Sequence, residues 1–460
     1  MTGLPGIEVP RRAGVEERLA AMVRIETVTA PDDAAAFAEF PKLLAELYPL
    51  VHSRLESRTV VERGILLRWP AASTEQREAV VLMAHWDVVP AVEADGWSTP
   101  PFAGTIADGT VWGRGTLDDK GQLCVLLEAV ENLLAAGVTP KRDIYLCLGG
   151  NEESYGDANR AIAADFQARA VMPWLVLDEG GAVVDAPMPQ VPVPAAMVGV
   201  AEKGVATIEL RAVGKGGHAS APGKELATTR IARAIGRLQR HPFRPQLSET
   251  GREMFEELSK HASGRARTLA RVIARNPRLA ARILASQGGE AAALVRTTVA
   301  VTMLSGGTAA NVLPNGASAT LNVRLAPSDT VASALEHIER VIDDPEVEIV
   351  LHEGDEPTAQ SPRDGAQFEL IRAAVGTAYP GIPTVPYVQM SATDSRHFHR
   401  FAPAVYRFAP LEMDAAQRAS IHGVDERVSV ATLDRGVLFY QALITGIPGP
   451  DMPDPDMPHD

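Results

Sequence analysis

Three short runs of uninterrupted apolar residues stand out along the chain, at 79–84, 144–148 and 174–177. A strand that is apolar at every position is buried on both faces, as in a parallel sheet held between helices. Each run stops abruptly at polar residues. The first ends in His85-Trp-Asp87, the second in Gly149-Gly-Asn-Glu152-Glu153 and the third in Asp178-Glu179-Gly-Gly. Between the first two lies the turn Gly113-Arg-Gly-Thr-Leu-Asp-Asp-Lys-Gly121, with adjacent carboxylates at Asp118 and Asp119. Leu123, Leu126, Leu127, Val130 and Leu134 then repeat at helical spacing as far as Gly137. Residues 14–55 also read as helical, with Leu43, Leu44, Leu47 and Leu50 as one apolar stripe.

The texture changes between 205 and 325. Alternating strands at 206–212, 298–303 and 319–325 flank a long Arg- and Ala-rich helical block at 252–287. Two Gly-rich loops, at 214–222 and 306–314, display His218 and Asn311. This pattern predicts an inserted α+β domain at 204–328 between two parts of an α/β domain, 1–203 and 329–445. In the second part, 387–397 has strand-to-loop character and offers Thr393, Asp394 and Arg396. His422 precedes a glycine and then a terminal helix at 430–443. The tail, 446–460, alternates Pro, Asp and Met; it cannot bury a core, and disorder is expected there.

Composition narrows the classes. A chain of 460 residues is long for one core, so two domains are expected. The formal charge of −14 argues against nucleic acid or an anionic membrane as a partner. The two cysteines, Cys124 and Cys147, lie in apolar segments without partners at zinc-site spacing, which fits a reducing compartment. With no signal-like segment and no 18-residue apolar run, a cytoplasmic protein is expected.

The chemistry gathers at the strand ends. Side chains alternate along a strand, so His85 and Asp87 project to one side and Asp87 could orient the imidazole. Of two adjacent glutamates, one can ligate a metal while the other holds a water as general base. A carboxylate on a rigid turn can bridge two metal ions through its two oxygens. Taken singly, each motif has a plainer explanation: a chance His-x-Asp, a Glu-rich helix start, an acidic turn favoured by the helix dipole, an ordinary loop histidine at 218. Their convergence at the carboxyl ends of buried strands, where α/β sheets bind ligands, argues for a site.

The ordered set His85-x-Asp87, Asp118 in GRGTLDDKG, Glu152-Glu153, Asp178 in LDEGG and His422 in IHGVDE resembles the M20 family of dinuclear zinc peptidases. EKG at 202–204, GHASAP, TDSR and IHGV are similar to the branch with yeast carboxypeptidase S and the mammalian N-acyl amino acid hydrolase/synthase. No signal or anchor segment is expected, which departs from that branch.

The resemblance implies an α/β fold: a catalytic domain with a central mixed sheet flanked by helices, plus an inserted α+β lid or dimerisation domain. It implies two Zn²⁺ ions per subunit, with Co²⁺ or Mn²⁺ able to substitute. His85, Asp118 and Asp178 would hold one ion; Asp118, Glu153 and His422 would hold the other. Glu179 competes with Asp178 for its place. Asp87 would orient His85, Glu152 would be the general base, and the peptide between Asp118 and Asp119 would be cis. The expected reaction is hydrolysis of an amide next to a free C-terminal carboxylate, in a small peptide or, alternatively, an N-acyl amino acid. Arg396 would clamp the substrate carboxylate, with Arg324, Asn311 and Thr393 as further substrate-binding candidates. His218 would reach the active site of a partner subunit in a homodimer built through the inserted domain. A metal-free binding protein that keeps the fold is the remote alternative.

Overall fold

The three apolar runs lie side by side in the sheet. In this computed structural model, which describes residues 9–29, 34–72, 78–154, 156–188 and 191–449, strand Glu78–His85 pairs in parallel with Asp143–Gly149 on one side and Met172–Asp178 on the other. Parallel neighbours leave a sheet at the same edge, so His85, the Gly149 exit and Asp178 are brought together, with His85 in register with Gly149. Among the described residues the sheet has ten strands and is mixed. The antiparallel pair Glu56–Val61 and Gly64–Trp69 extends one flank. On the other, Val405–Arg407 pairs in parallel with Met172–Asp178, and Ala195–Glu202 pairs in parallel with Thr384–Gln389.

Helix Lys120–Ala135 follows the Asp118 turn and is buried from Lys120 to Leu134. The leucine repeat predicts one apolar face; the structure buries the polar face as well, against Val15–Val23 and Val430–Gly446. Buried polar side chains there find specific partners. Glu128 accepts from Arg18 Nε at 2.7 Å, and Glu131 accepts from the backbone N–H groups of Leu50 and Val51. The expected helical stretch 14–55 is divided into Val15–Val23, Ala34–Leu47 and Pro49–Arg54. Proline fits the first position of a helix, where no N–H is needed, so Pro49 starts a new one. After the first helix the chain turns extended, and Val28 bridges to Val88, tying the N-terminal segment to the loop beyond His85.

A second, antiparallel sheet has the order Thr298–Gly306, Gly316–Leu325, Gly204–Val213, Val347–Asp355. Helices Ala227–Arg240 and Val331–Ile342 cover it, with Ile208, Leu321, Ile231 and Ile338 in one core. Two boundaries therefore differ from expectation. The unit does not close at 328, because Val331–Ile342 and Val347–Asp355 pack with it. The Arg-rich helical block does not belong to its core: Met254, Phe255, Leu258, Ile273 and Leu284 join the apolar cluster of the large sheet. Lys203, between strands Ala195–Glu202 and Gly204–Val213, is buried and donates to the carbonyls of Ala293 and Arg296, just beyond that block. Among the described residues no helix is long and apolar enough to cross a membrane. The last helix runs Val430–Gly446, and most of the tail expected to be disordered, 450–460, lies outside the described residues.

Candidate metal centre

Asp118 lies between two imidazoles. Its Oδ1 is 3.0 Å from His85 Nε2 and its Oδ2 is 3.1 Å from His422 Nε2. His422 Nε2 is also 3.1 Å from Glu153 Oε1. His85, Asp118 and Glu153 each offer a ligand atom within 4.8 Å of the others. His422 reaches this place from a tight loop, where its own φ is 59° and that of Asp425 is 60°. Strand pairing alone brings together His85 and the Glu152-Glu153 turn; the Asp118 turn comes from the connection between those two strands, and the His422 loop from far along the chain.

Carboxylates behind the centre hold its backbone. The Asp118–Asp119 peptide is cis, and Asp119 Oδ2 accepts from His85 N–H at 3.0 Å. The turn needs glycine where it is tightest: Gly115 has φ of 90°, and a Cβ on Gly121 would lie 2.1 Å from the Thr116 carbonyl oxygen. Buried Glu426 spans the turn from outside. One of its oxygens accepts from Leu117 and Asp118 N–H at 2.8 and 3.1 Å; the other accepts from Arg114 Nη1 and Gly115 N–H at 2.7 and 3.1 Å. Asp87 has two uses. Its backbone carbonyl lies 3.1 Å from His85 Nδ1, while its carboxylate accepts from Glu152 and Glu153 N–H at 3.1 and 3.0 Å.

The electrostatics match a site built for cations. Burial alone would lower the pKa of His85, yet hydrogen bonds to Asp118 and Asp87 hold it well above the usual histidine value. His422 is raised to about 10, first by its hydrogen bond to Asp118 and then by that to Glu153. Burial raises Glu152, and the charges of Asp394 and Glu153 add to it. Burial also raises Glu153 and Glu179, each facing the charge of Asp118. Among the described residues no Lys or Arg forms an ion pair with Asp118, Glu152, Glu153, Asp178 or Glu179. The two imidazoles are thus the basic groups paired with this cluster, and cations joining it would offset the charge of the remaining carboxylates. Two imidazoles plus carboxylates form a donor set suited to zinc and similar divalent ions, so the residues present fit a metal centre.

The remaining candidates divide. Asp178 is buried at the end of its strand, and its Oδ2 accepts from Ser395 N–H at 2.8 Å, outside the mutual group of His85, Asp118 and Glu153. Thr393 differs from its expected substrate-binding place. It is fully buried, and its hydroxyl is engaged with Glu202 and, at 2.7 Å, with Ser395. Arg396 Nη1 donates to the Thr393 carbonyl at 2.7 Å, and its Nε is 3.5 Å from Asp355 Oδ2. Arg324 Nε donates to Asn322. The two Gly-rich loops meet: Gly217 and His218 pair with Leu313 and Val312, and Ala219 N–H donates to the Asn311 carbonyl. His218 is exposed, with Nδ1 2.7 Å from Ser220 Oγ, and makes no hydrogen bond to the centre.

Sequence reading missed Glu426 and the buried pair Glu202–Arg407, whose Oε1 and Nε are 2.6 Å apart. Glu202 also engages Thr393 and Ser395, so this pair braces the loop that caps Asp178. A glutamate inside IHGVDE and one ending an apolar strand were the available signals.

Residues 81–446 match the family model described as Peptidase family M20/M25/M40. The chain is 33% identical over 413 residues to Probable carboxypeptidase S-like 2 of Dictyostelium discoideum, covering 89% of this chain and 79% of that protein. It is 33% identical over 445 residues to N-fatty-acyl-amino acid synthase/hydrolase PM20D1 of Homo sapiens, covering 94% and 88%. Among solved structures, the M20 family metallo-carboxypeptidase Sso-CP2 from Sulfolobus solfataricus shares the fold with a TM-score of 0.70 at 16% identity, covering 94% of this chain and 99% of that one. Human carnosine dipeptidase 1 does so with a TM-score of 0.67 at 16% identity, covering 95% and 99%.

Proposed function

The chain belongs to peptidase family M20/M25/M40, and from that premise we propose that it is a two-zinc hydrolase of amides that carry a free C-terminal carboxylate. The observation that carries this reading is Asp118: each of its oxygens faces a different histidine. His85 and His422 would each hold one ion, Asp118 would bridge them, and Glu153 would complete the His422 side. Asp178 would serve the His85 side, with Glu179 as its competitor. When bound, the ions would polarise the scissile carbonyl and make water acidic enough to react near neutral pH.

The chain's own residues supply the proton traffic. The Glu152 carboxylate is half-buried and, among the described residues, has no hydrogen-bond partner, so it is free to act on water. It takes a proton as the water oxygen bonds to the carbonyl carbon, then delivers that proton to the nitrogen as the C–N bond breaks. Asp87 fixes both glutamates through their backbone N–H groups, so Glu152 and Glu153 can differ in role while adjacent in sequence. Arg396, anchored on the Thr393 carbonyl, is the candidate for reading the substrate carboxylate through paired hydrogen bonds.

Peptides are the first substrate class. N-acyl amino acids are the second, favoured by the similarity to the human N-fatty-acyl-amino acid synthase/hydrolase along nearly the whole chain. Two buried free cysteines support a reducing, cytoplasmic setting. Hydrolysis of dipeptides and of N-acyl amino acids is to be measured side by side on protein of known metal content. Preferential cleavage of either set, lost to chelator and restored by zinc, is expected. Turnover indifferent to chelator would remove the metal mechanism, and no turnover with no metal uptake would favour a binding protein that keeps the fold.

A further inference from the structure

The overall charge of −14 conceals a strongly basic segment. Residues 264–287 contain six arginines and no Asp, Glu, Lys or His. They form helices Gly264–Arg275 and Pro277–Gln287, whose inner faces bury Ala270, Ile273, Ala274, Ala280, Ala281 and Leu284. The arginines lie outside, and so do four aliphatic residues: Leu269, Val272, Leu279 and Ile283 are 39%, 46%, 53% and 47% exposed. An open, shallow groove runs between the two helices and their neighbour Glu249–His261, floored by Phe255, Ile273 and Leu284.

The charges of this face are not neutralised within the chain. Arg267 donates to the Ala262 carbonyl. Among the described residues the guanidinium groups of Arg265, Arg271, Arg275, Arg278 and Arg282 make no hydrogen bond or ion pair. The nearby glutamates are already engaged: Glu256 pairs with Arg252, Glu257 with Lys260, and Glu290 with Arg418. A surface with guanidinium groups interleaved among exposed aliphatics has the composition of an interfacial helix, cationic for headgroups and apolar for acyl chains. A nucleic acid would use the charge but leave Leu269, Val272, Leu279 and Ile283 without a counterpart.

We propose that the helix pair 264–287 docks the protein on an anionic phospholipid bilayer. The arginines meet the headgroups, and the four aliphatic side chains enter the headgroup–acyl boundary. Docking is peripheral and reversible. It lies outside the metal centre and does not depend on which amide is cleaved. It also limits the inference from net charge, because a bilayer meets one face of a protein and not its average.

The test is co-sedimentation of the full chain with vesicles of phosphatidylcholine alone or mixed with phosphatidylglycerol, at low and high salt. Wild type should pellet with the mixed vesicles, less so as salt rises, and stay in the supernatant with phosphatidylcholine vesicles. Each basic residue near an anionic surface adds about 1 kcal/mol, so Arg271→Gln/Arg275→Gln/Arg278→Gln together should weaken binding about a hundredfold. The corresponding Arg→Lys variant should keep most of it. Leu279→Ser/Ile283→Ser should weaken binding without changing its salt dependence. All these positions are exposed, and unchanged hydrolysis of a small soluble substrate would report intact folding. No binding to mixed vesicles at low salt, or equal binding by the glutamine variant, overturns the proposal. It is also overturned if the face instead mediates self-association without vesicles, or if it holds nucleic acid with an affinity that the two serines leave unchanged.

Discussion

Glu152 and Glu153 are adjacent, alike in chemistry and held by the same Asp87 carboxylate, yet their side chains meet different surroundings. Glu153 lies within 3.1 Å of His422 Nε2, while Glu152 has no such partner among the described residues. Glu152→Gln should therefore keep its metal and lose about 10²–10⁴-fold in turnover, the usual scale for a proton-transferring group. Glu153→Gln should lose metal on dialysis. Elemental analysis beside a turnover assay distinguishes them, and the opposite pattern would exchange the two roles. Glu426 raises a related expectation, although it is not proposed to touch metal. Its two oxygens accept four donors from the Asp118 turn. In Glu426→Gln an NH₂ group would face N–H donors on one side, leaving the turn free to shift. Groups that position metal ligands typically change affinity about 10–100-fold when replaced, so chelator competition should show a loss of that size. Unchanged affinity would mean that the turn holds its shape without this cradle.

At the level of elements, the strand ends were legible because burial on both faces leaves an unmistakable apolar run, and His85, Glu152-Glu153 and Asp178 stand just beyond such runs. The Glu426 cradle was not legible, because a residue about 300 positions from its partners has no local signature. The helical block shows why periodicity stops short of topology. Its apolar stripe identifies a buried face, but Met254, Phe255 and Leu258 could have packed on either sheet, and they chose the large one. Lys203 sits where these units join. Its ammonium is buried and donates to the Ala293 and Arg296 carbonyls, and burial lowers its pKa to about 8, with the charge of Arg324 adding to the effect. Between pH 8 and the unfolded value near 10.5 the unfolded chain holds a proton that the folded chain has released. Its contribution to stability therefore rises with pH across that window, by at most roughly 3 kcal/mol. Denaturant unfolding at several pH values should show this slope in wild type and a smaller one in Lys203→Met. Identical slopes would mean that Lys203 titrates alike in both states.

At the scale of the whole molecule, the second sheet bears on whether one chain makes a complete active site. The second sheet ends in strand Thr298–Gly306, which pairs on one side with Gly316–Leu325, and Met303 and Leu304 on it are 67% and 69% exposed. Exposed apolar edge strands invite pairing with another chain. The same unit carries His218, which makes no hydrogen bond to the metal centre of its own chain. We propose that a symmetric dimer forms through this unit and carries His218 to the partner's site, where it donates to the oxyanion of the tetrahedral intermediate. Losing such a donor costs about 10²–10³ in turnover. His218→Ala should keep its metal and fold while becoming nearly inactive. The deciding experiment mixes His218→Ala with Glu152→Gln, each almost dead alone. If the histidine acts across the interface, each heterodimer has one site with both defects and one with neither, so activity should return towards half of wild type per heterodimer. Leu304→Glu, placed at the edge strand, should give monomers that hold metal but turn over slowly. A wild type that stays monomeric at assay concentration, or a mixture that exchanges subunits without regaining activity, would leave His218 acting within its own chain or not at all.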